Sequence, residues 1–383
     1  MNLKEIKKEL ERKKLQDIQE IQLEIDNFKG SLTIKDSIQQ NVIESGETKY
    51  IVNGPAGSGK TILAMIKMLE LEKLGEDYKV IIYTKALKSF LIGRMKRARF
   101  LDTENKVFHL DDLKFQKIKS DQYDYIIVDE VQDFSIEILD ELLCNANMGY
   151  YLYGDENQSI YPENTGDLNI VTEIISKHEF EKFHLNKIYR FDRSIFNFAN
   201  PINPNSKDVL IRDNIKEPNL TDCDTPKILN FNTREEELEY LLQSLKNTNW
   251  KDVAILLARN KDVEDVYRWF KFIKKYGKVE AKYYYNWDSN TRKYRDEHDD
   301  LDFSTTNVKI MTYHSSKGLE FDRVFIPICN VYEKEDEKRK YNYREALYVG
   351  FTRAKITLIV SYNNEDGKSE YLNKIPKDTY LPT

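Results

Sequence analysis

The sequence predicts an α/β fold with two parallel-sheet domains, preceded by a separate N-terminal helix. Short apolar runs alternate with segments of helical periodicity along most of the chain, which is typical of parallel strands joined by crossover helices. A length of 383 residues suffices for two domains of ordinary size. A glycine-rich loop follows the first of these runs and precedes a helical pattern, which is the context expected of a phosphate-binding loop.

The first 30 residues are predicted to form an amphipathic helix. Between Leu3 and Phe28, apolar residues recur every three to five positions among many Lys and Glu residues. This helix could pack on the first domain, which is the preferred interpretation, or offer its apolar stripe to a partner as a short coiled coil. The sequence alone does not separate these two possibilities.

Two series of strand-like runs define the predicted domains. The first domain is predicted over residues 31–179, with strands at residues 50–52, 80–83, 107–108, 125–128 and 150–153. The second is predicted over residues 180–383, with strands at residues 227–230, 253–257, 308–311, 324–328 and 356–360. Two charged, aromatic-rich stretches, residues 271–302 and 333–340, are interpreted as surface loops or a small insertion.

The charge balance and the cysteine and histidine content exclude several classes of protein. With 59 basic and 65 acidic side chains the net charge is −6, so the chain is not the strongly basic body of a passive nucleic-acid coat, and any nucleic-acid contact must be local. Three cysteines and five histidines show no zinc-ligand spacing. The N-terminus is charged and no apolar run reaches membrane-spanning length, which predicts a soluble cytoplasmic protein without a membrane partner.

The loop at residues 54–61 predicts a nucleoside-triphosphate site. It reads G-x-x-x-x-G-K-T, in which the backbone N–H groups close around phosphate oxygens. Lys60 would reach the β and γ phosphates, and the Thr61 hydroxyl would hold Mg²⁺. The predicted nucleotide-binding residues of this loop are Gly54, Gly57, Ser58, Gly59, Lys60 and Thr61.

An acidic pair ends the predicted strand at residues 125–128. Asp129 would hold the Mg²⁺ together with Thr61, and Glu130 would polarise the water that attacks the γ phosphate. Such a pair at a strand end is often only solvated, but its combination with the phosphate loop favours catalysis. Phosphoryl transfer also needs positive charge near the transferred group, for which Arg190 and Arg353 are the candidates.

The order of these and further motifs resembles that of the UvrD/Rep-like superfamily 1 helicases, over nearly all of the chain except the N-terminal helix. The resemblance implies two RecA-like P-loop NTPase domains with ATP and Mg²⁺ between them. It is carried by Y-T-K-A at residues 83–86, D-E-V-Q-D at 129–133, G-D-E-N-Q-S-I-Y at 154–161, L-N-K-I-Y-R at 185–190, T-Y-H-S-S-K-G-L-E-F at 312–321 and L-Y-V-G-F-T-R-A at 347–354.

The resemblance extends the predicted nucleotide site to residues outside the loop. It implies that Gln39 reads adenine, that Tyr189 stacks near it, and that Gly318 and Glu320 face the nucleotide. It also implies that Arg353 is an arginine finger. The predicted catalytic residues are then Lys60, Asp129, Glu130, Gln158, Arg190 and Arg353.

The resemblance also implies a path for single-stranded nucleic acid across both domains. Tyr83 could instead be a core residue, and His109 and His314 could be structural histidines, so each position has an alternative explanation. The implied nucleic-acid contacts are Tyr83, Thr84, His109, Tyr161, Thr312 and His314.

The chain departs from the family pattern in two respects. Full members carry two large accessory domains, but the corresponding intervals, residues 60–129 and 190–312, leave room for at most a small insertion. After Tyr161 the family commonly has W-R-G-A, where this chain reads P-E-N-T-G at residues 162–166. One base-stacking platform, worth about 1–3 kcal/mol per base in other systems, is therefore missing.

Three functions remain open on the sequence. The preferred one is an ATP-dependent translocase or helicase on single-stranded DNA, with RNA as another substrate class. The alternative is a nucleic-acid-stimulated regulatory ATPase subunit that gates a partner protein such as a nuclease, in antiphage defence or plasmid maintenance. An inactive binding module is disfavoured, because a site without chemistry has no need to retain the phosphate-loop lysine, the acidic pair and both arginines together.

Overall fold

A computed structural model describes most of the chain. The described residues are 36–55, 57–97, 105–109, 122–155, 174, 177–190, 193–203, 225–248, 250–288, 293–330 and 343–382. The predicted helix over residues 1–30, the catalytic candidate Gln158, the strand-binding candidate Tyr161 and the charged segment 333–340 lie outside them.

The first domain is a six-stranded sheet in which every pairing is parallel. Its strand order is β3-β2-β4-β5-β1-β6. The strands are β1 (Lys49–Asn53), β2 (Tyr78–Ile82), β3 (Val107–His109), β4 (Tyr123–Asp129), β5 (Ala146–Gly154) and β6 (Glu181–His184). The helices are α1 (Ser37–Glu44), α2 (Lys60–Leu74), α3 (Lys85–Arg97) and α4 (Ile136–Cys144).

Local signals explain where the helices of this domain begin and end. The carboxylate of Asp36 caps α1 by accepting a hydrogen bond from the backbone N–H of Gln39 at 2.8 Å. Helix α2 follows Gly59 and ends at Gly75, and both glycines adopt left-handed backbone angles that other residues rarely adopt. The carboxyl ends of β1, β4 and β5 lie side by side, so the loops that follow them meet at one edge of the sheet.

The second domain is built on an eight-stranded sheet. Its order is β10-β9-β11-β8-β12-β13-β7-β14, and only the β9–β10 pairing is antiparallel. The strands are β7 (Lys227–Phe231), β8 (Val253–Leu257), β9 (Val279–Asp288), β10 (Lys293–Asp299), β11 (Val308–Thr312), β12 (Phe321–Ile326), β13 (Ala354–Asn363) and β14 (Leu381–Pro382). The helices are α5 (Arg193–Ala199), α6 (Arg234–Lys246), α7 (Asn260–Arg268) and α8 (Tyr343–Phe351).

The predicted α/β fold is confirmed, and each predicted strand overlaps a strand of the structure. The interpretation of residues 271–302 as surface loops was wrong, because β9 joins the central sheet and β10 pairs with it as a hairpin, and the alternative of a small insertion remains a prediction. The sequence also missed β6, which is short and polar. The boundary at residue 180 remains a prediction, and the pairing of β6 with β1 would move it to after His184.

The two domains pack against each other along helix α3. Leu87 of this helix contacts the loop after β11, and the ring of Phe90 lies 5.6 Å from that of Phe303 in an edge-to-face arrangement. Among the residues that the structure describes, no helix combines the length and the apolar character needed to cross a bilayer.

Candidate functional site

The phosphate loop has a backbone that only glycine tolerates at two positions. Gly57 and Gly59 have φ angles of 78° and 95°, in the left-handed region. A Cβ atom on Gly57 would lie 2.7 Å from Cβ of Arg190, and one on Gly59 would lie 2.6 Å from Nε2 of Gln39. The loop therefore packs directly against two residues that the sequence predicts to serve the nucleotide.

Lys60 and Thr61 begin helix α2 beneath this loop. The side chain of Lys60 is largely buried, and its Nζ donates to the carbonyl oxygens of Gly54 at 2.6 Å and Pro55 at 3.0 Å. The Thr61 hydroxyl donates to Oδ2 of Asp129 at 2.8 Å. The two residues predicted to hold Mg²⁺ are thus in contact, although they come from different motifs.

The pKa values of the two carboxyl groups of the acidic pair are shifted in opposite directions. Burial and the nearby charge of Glu130 raise the pKa of Asp129, against the opposing effects of Thr61 and Lys60. Burial also raises the pKa of Glu130, but the charges of Lys317 and Lys60 outweigh it, so the pKa lies below its usual value. Excess negative charge beside Asp129 is the electrostatic condition in which a divalent cation binds well.

A hydrogen-bond chain holds Glu130 in an uncommon conformation. Its φ angle is 59°, in the left-handed region that few residues other than glycine adopt. Gln132 donates from Nε2 to Oε2 of Glu130 at 2.5 Å, and its Oε1 accepts from the backbone N–H of Asp155 at 3.0 Å. Gln132 therefore ties Glu130 to the end of β5, a role that the sequence did not reveal.

The two candidate arginines occupy different environments. Arg190 donates from Nε to Oε2 of Glu320 at 3.2 Å, which brings together two residues of the predicted nucleotide site. Arg353 is only 1% exposed, and its guanidinium donates to the carbonyl oxygens of Val349 at 2.9 Å and Leu319 at 3.2 Å. Burial and the nearby charge of Arg190 lower the pKa of Arg353 to about 9, so it remains charged at neutral pH.

The residues predicted to contact adenine lie next to the loop. Gln39 donates from Nε2 to the carbonyl oxygen of Ser58 at 2.8 Å, and the backbone N–H of Tyr189 donates to the carbonyl oxygen of Gly57 at 2.9 Å. The Tyr189 hydroxyl donates to the carboxylate of Asp36. Asp36 was not predicted, but D-x-x-Q at residues 36–39 is a helix-capping pattern that could have indicated it.

The predicted strand-binding residues of the first domain lie where β2 and β3 end. The Tyr83 ring packs edge-to-face on Phe134 at 5.5 Å, so it is partly a packing residue. Thr84 donates from Oγ1 to the backbone carbonyl oxygen of Lys317 in the second domain at 3.4 Å. His109 lines an open cavity of about 380 Å³ between α3 and the β9–β10 hairpin, together with Lys85, Lys88, Ser89, Glu297 and Asp299.

The strand-binding candidates of the second domain lie on the loop after β11. The Thr312 hydroxyl accepts from the backbone N–H of Ser315 at 3.1 Å and orders the first turn of this loop. His314 is partly exposed as a residue but its ring is enclosed, and burial together with the charge of Lys317 lowers its pKa to about 4. A neutral imidazole at neutral pH can donate a hydrogen bond or stack, but it adds no charge toward phosphate.

Gly318 has a packing reason for being glycine. Its φ angle is 80°, and a Cβ atom there would lie 2.7 Å from Cδ2 of Leu87 in the first domain. This position lets the loop after β11 approach helix α3 closely. The nucleotide contact predicted for Gly318 remains a prediction.

The structure describes no cluster of three or more His, Cys, Asp or Glu side chains that would hold a metal by themselves within its described ranges. A site built from Thr61 and Asp129 would depend on phosphate oxygens and water for its other ligands. Mg²⁺ ordinarily binds beside phosphates in this way, with one or two carboxylates. The donor set is therefore suited to Mg²⁺ that arrives with a nucleotide.

Two family models match the chain in the order that the motifs predict. An AAA domain model matches residues 39–164, which hold the phosphate loop and the acidic pair. A model of the UvrD-like helicase C-terminal domain matches residues 288–365, which hold the loop after β11 and Arg353.

Curated relatives with helicase names match parts of the chain. A probable DNA helicase II homologue of Mycoplasma genitalium is 29% identical over 38% of this chain and 23% of its own length. The ATP-dependent DNA helicase Rep of Buchnera aphidicola is 24% identical over 63% of this chain and 39% of its own length. The chain thus spans two fifths or less of these relatives.

Solved structures with a similar chain trace include a Pif1 helicase described as unwinding forked duplex DNA. It is 16% identical, covers 92% of this chain and 95% of its own, and has a TM-score of 0.44. The two family models, the helicase relatives and the ordered motifs confirm the resemblance of this chain to the UvrD/Rep-like superfamily 1 helicases that was noted in the sequence.

Proposed function

We propose that this chain is an ATP-dependent motor that moves along single-stranded DNA and hydrolyses ATP between its two domains. The observation that supports this most strongly is the convergence of groups from both domains on Glu130. Lys60 approaches it from the first domain, and Lys317 and Arg353 approach it from the second. A site completed by both domains couples hydrolysis to their relative motion.

The residues of the first domain would bind and orient the nucleotide. The loop N–H groups and Lys60 would contact the phosphates, and Thr61 and Asp129 would hold Mg²⁺, which neutralises charge on the phosphates when bound. Glu130, positioned by Gln132, would orient the attacking water. Gln39 and Tyr189 flank the loop and would contact adenine.

The second domain would supply positive charge toward the γ phosphate. Arg353 is held rigidly by backbone carbonyls, so little reorganisation is needed when charge develops on the phosphate. Arg190 pairs with Glu320 within the second domain and would exchange that partner for phosphate as the cleft closes. Gln158 is proposed to join this set on the strength of its motif alone.

Single-stranded DNA is proposed to lie along Tyr83, Thr84, Thr312 and His314, on the side of the cleft away from the acidic pair. Thr84 and the loop after β11 touch each other across the domain boundary, so a strand bound there would contact both domains. Because the accessory-domain intervals are short, stepping along a strand is the proposed activity. Separation of a duplex is a further property that must be measured separately.

Steady-state ATP turnover with and without single-stranded DNA and RNA oligomers tests the proposal. We expect DNA to stimulate turnover, and a streptavidin block at the end of the strand to be displaced in the presence of ATP. Stimulation by RNA alone would replace DNA as the substrate. Turnover that neither polymer stimulates would overturn the motor, and stimulated turnover without displacement of the block would indicate the regulatory subunit instead.

Substitution of Glu130 tests the catalytic assignment. Glu130→Gln should lower kcat by about 10²–10⁴-fold, the usual contribution of a positioned base, while ATP still binds. Lys60→Ala should lose both turnover and ATP affinity. Glu47→Gln, on an exposed residue before β1, is the matched control and should retain wild-type turnover. Wild-type turnover in purified Glu130→Gln would refute the assignment.

A further inference from the structure

A fully buried ion pair joins the two domains between the nucleotide site and the proposed strand path. Nζ of Lys317 lies 2.5 Å from Oδ2 of Asp133, and both side chains are 0% exposed. Lys317 belongs to the loop after β11, whereas Asp133 belongs to the first domain. Neither residue was given a role by the sequence, although both stand within the motifs.

In the first domain, the ion pair lies close to Glu130 along the chain. Asp133 ends a short 3₁₀ turn, Val131–Asp133, which follows Glu130 directly. The backbone N–H of Asp133 donates to the carbonyl oxygen of Glu130 at 3.0 Å. A displacement of the Asp133 carboxylate would therefore also displace Glu130, because a single 3₁₀ turn of backbone connects the two residues.

On the second-domain side, the same lysine touches the proposed strand path. Its backbone carbonyl accepts the hydrogen bond from Thr84, and the next residue, Gly318, packs on Leu87. Helix α3, which carries Leu87, begins immediately after Thr84. Lys317 thus contacts Thr84, on the proposed nucleic-acid path, through its backbone carbonyl, and it contacts Asp133, in the turn after Glu130, through its side chain.

Buried ion pairs of this kind fix geometry more than they add net stability. Removing two charges from water costs about as much as their attraction returns, but breaking one partner away leaves an uncompensated buried charge. The paired arrangement is therefore strongly preferred while the domains are closed. Opening of the cleft must separate the two side chains, because they belong to different domains.

We infer that Lys317 is a positioning residue that couples strand binding at Thr84 to the placement of Glu130, through its ion pair with Asp133. The inference rests on the proposed function and deepens it by naming the contact that transmits strand binding. Lys317 does not touch the reacting atoms in this scheme. It selects the closed arrangement in which Glu130 can act.

The test compares Lys317→Met and Asp133→Asn with the wild type by the ratio of turnover with and without single-stranded DNA. We expect the ratio to fall by about 5- to 150-fold, the usual range of coupling between sites. The dissociation constant for a non-hydrolysable ATP analogue should change by less than about 3-fold, because the phosphate loop lies in the first domain. Lys317→Arg, which keeps the charge, should recover part of the ratio.

Lys309→Met is the matched control. Lys309 is also a buried lysine of the second domain, paired with Glu280 at 2.7 Å, but both residues lie within the second sheet. Its loss should lower the melting temperature as Lys317→Met does, and leave the stimulation ratio intact. An equal loss of ratio in the control, or a wild-type ratio in folded Lys317→Met and Asp133→Asn, would overturn the inference.

A second readout separates failure of this inference from failure of the proposed function. Spin labels at Leu74→Cys and Ile356→Cys, exposed positions of the two domains, report closure with the ATP analogue in a background that carries Cys144→Ser, Cys223→Ser and Cys329→Ala. Lys317→Met and Asp133→Asn should each reduce the closed fraction, even if neither DNA nor RNA stimulates wild-type turnover. An unchanged closed fraction would by itself overturn the inference that the Lys317–Asp133 ion pair holds the domains closed.

Discussion

Two ion pairs join the domains, and they differ mainly in their access to water. Lys317 and Asp133, on the nucleotide side, are 2.5 Å apart with both side chains 0% exposed. Lys85 and Glu297, on the strand side, are 2.7 Å apart with side chains 37% and 27% exposed. The two ion pairs therefore have similar distances but differ in how strongly water weakens them.

The difference follows from solvation. An exposed pair contributes about 0–1 kcal/mol and is screened by salt, whereas removing one partner of a buried pair costs about 3–5 kcal/mol. The nucleotide side of the domain interface is thus held in one arrangement. On the strand side, the contact between Lys85 and Glu297 can break at little cost, whereas the pairing of Glu297 with buried Lys282 lies within the second domain and can persist.

The surroundings of each pair extend this contrast. Around the nucleotide side, Arg353 and Glu130 are held by hydrogen bonds to protein groups. On the strand side, Lys85 and His109 face an open cavity whose far wall carries the carboxylates of Glu297 and Asp299. A phosphate backbone entering here would have to compete with those carboxylates for the lysine.

The largest effect that would test this contrast is expected at Arg353. Arg353→Lys should lower kcat by about 10³-fold or more, because lysine cannot reproduce the fork that binds two carbonyls and still points a charge at phosphate. Arg344→Lys is the control. Arg344 also donates to backbone carbonyls, those of Ile202 and Asn203 in the same domain, and is not among the proposed nucleotide contacts.

ATP turnover at saturating DNA, with melting temperatures for each variant, would decide this prediction. Arg344→Lys should cost stability and leave kcat near the wild-type value. If Arg353→Lys also retains its kcat while losing stability, the nucleotide side is rigid for structural reasons and the finger assignment fails.

An intermediate effect is expected from acid at His314. The imidazole has a pKa of about 4 in the folded chain, against an ordinary value of 6.5. Between these values the unfolded state binds more protons, so stability is complete above pH 6.5 and falls as the pH drops toward 4. The loss is at most about 3 kcal/mol for such a shift. His314→Asn should unfold with a shallower pH dependence.

Denaturant unfolding at pH 7 and pH 5 would measure this difference. The charged neighbour that faces His314 is Lys317, so the effect reports on the buried surroundings of the Lys317–Asp133 pair. Equal pH dependence in His314→Asn and the wild type would mean that the His314 ring is hydrated in solution. The buried region around the Lys317–Asp133 pair would then not include His314.

The sequence predicted the nucleotide side of the domain interface better than the side that faces the proposed nucleic-acid path. The phosphate loop and acidic pair follow buried strands whose apolar runs are easily read, and their chemistry dictates residue types at fixed spacing. Thr61 and Asp129, predicted from separate motifs, are in contact in the structure. The contact of Arg190 with Glu320 is of the same kind, because motif residues face a common ligand.

The strand side was harder to predict because its contacts are set by tertiary packing. The β9–β10 hairpin resembled a loop because charged residues dominate β10 and alternate with the apolar residues of β9, and the pairing of β9 with β11 identifies it as a strand of the sheet. The Lys317–Asp133 pair, on the nucleotide side, was missed for the same reason, because it joins residues 184 positions apart and no local pattern encodes it.

The smallest expected effect lies at the exposed pair. Glu297→Gln removes a carboxylate that competes with phosphate for Lys85, so affinity for single-stranded DNA should rise by at most about 5-fold at low salt, equivalent to about 1 kcal/mol. The gain should fade as salt approaches the molar range, where exposed charges are screened within about 3 Å. Glu47→Gln is again the control for the change of net charge.

Fluorescence anisotropy with a labelled oligonucleotide at two salt concentrations measures the effect. A gain above tenfold that persists at high salt would show that Lys85 and Glu297 are held as firmly as Lys317 and Asp133, and the contrast between the two sides of the domain interface would be lost.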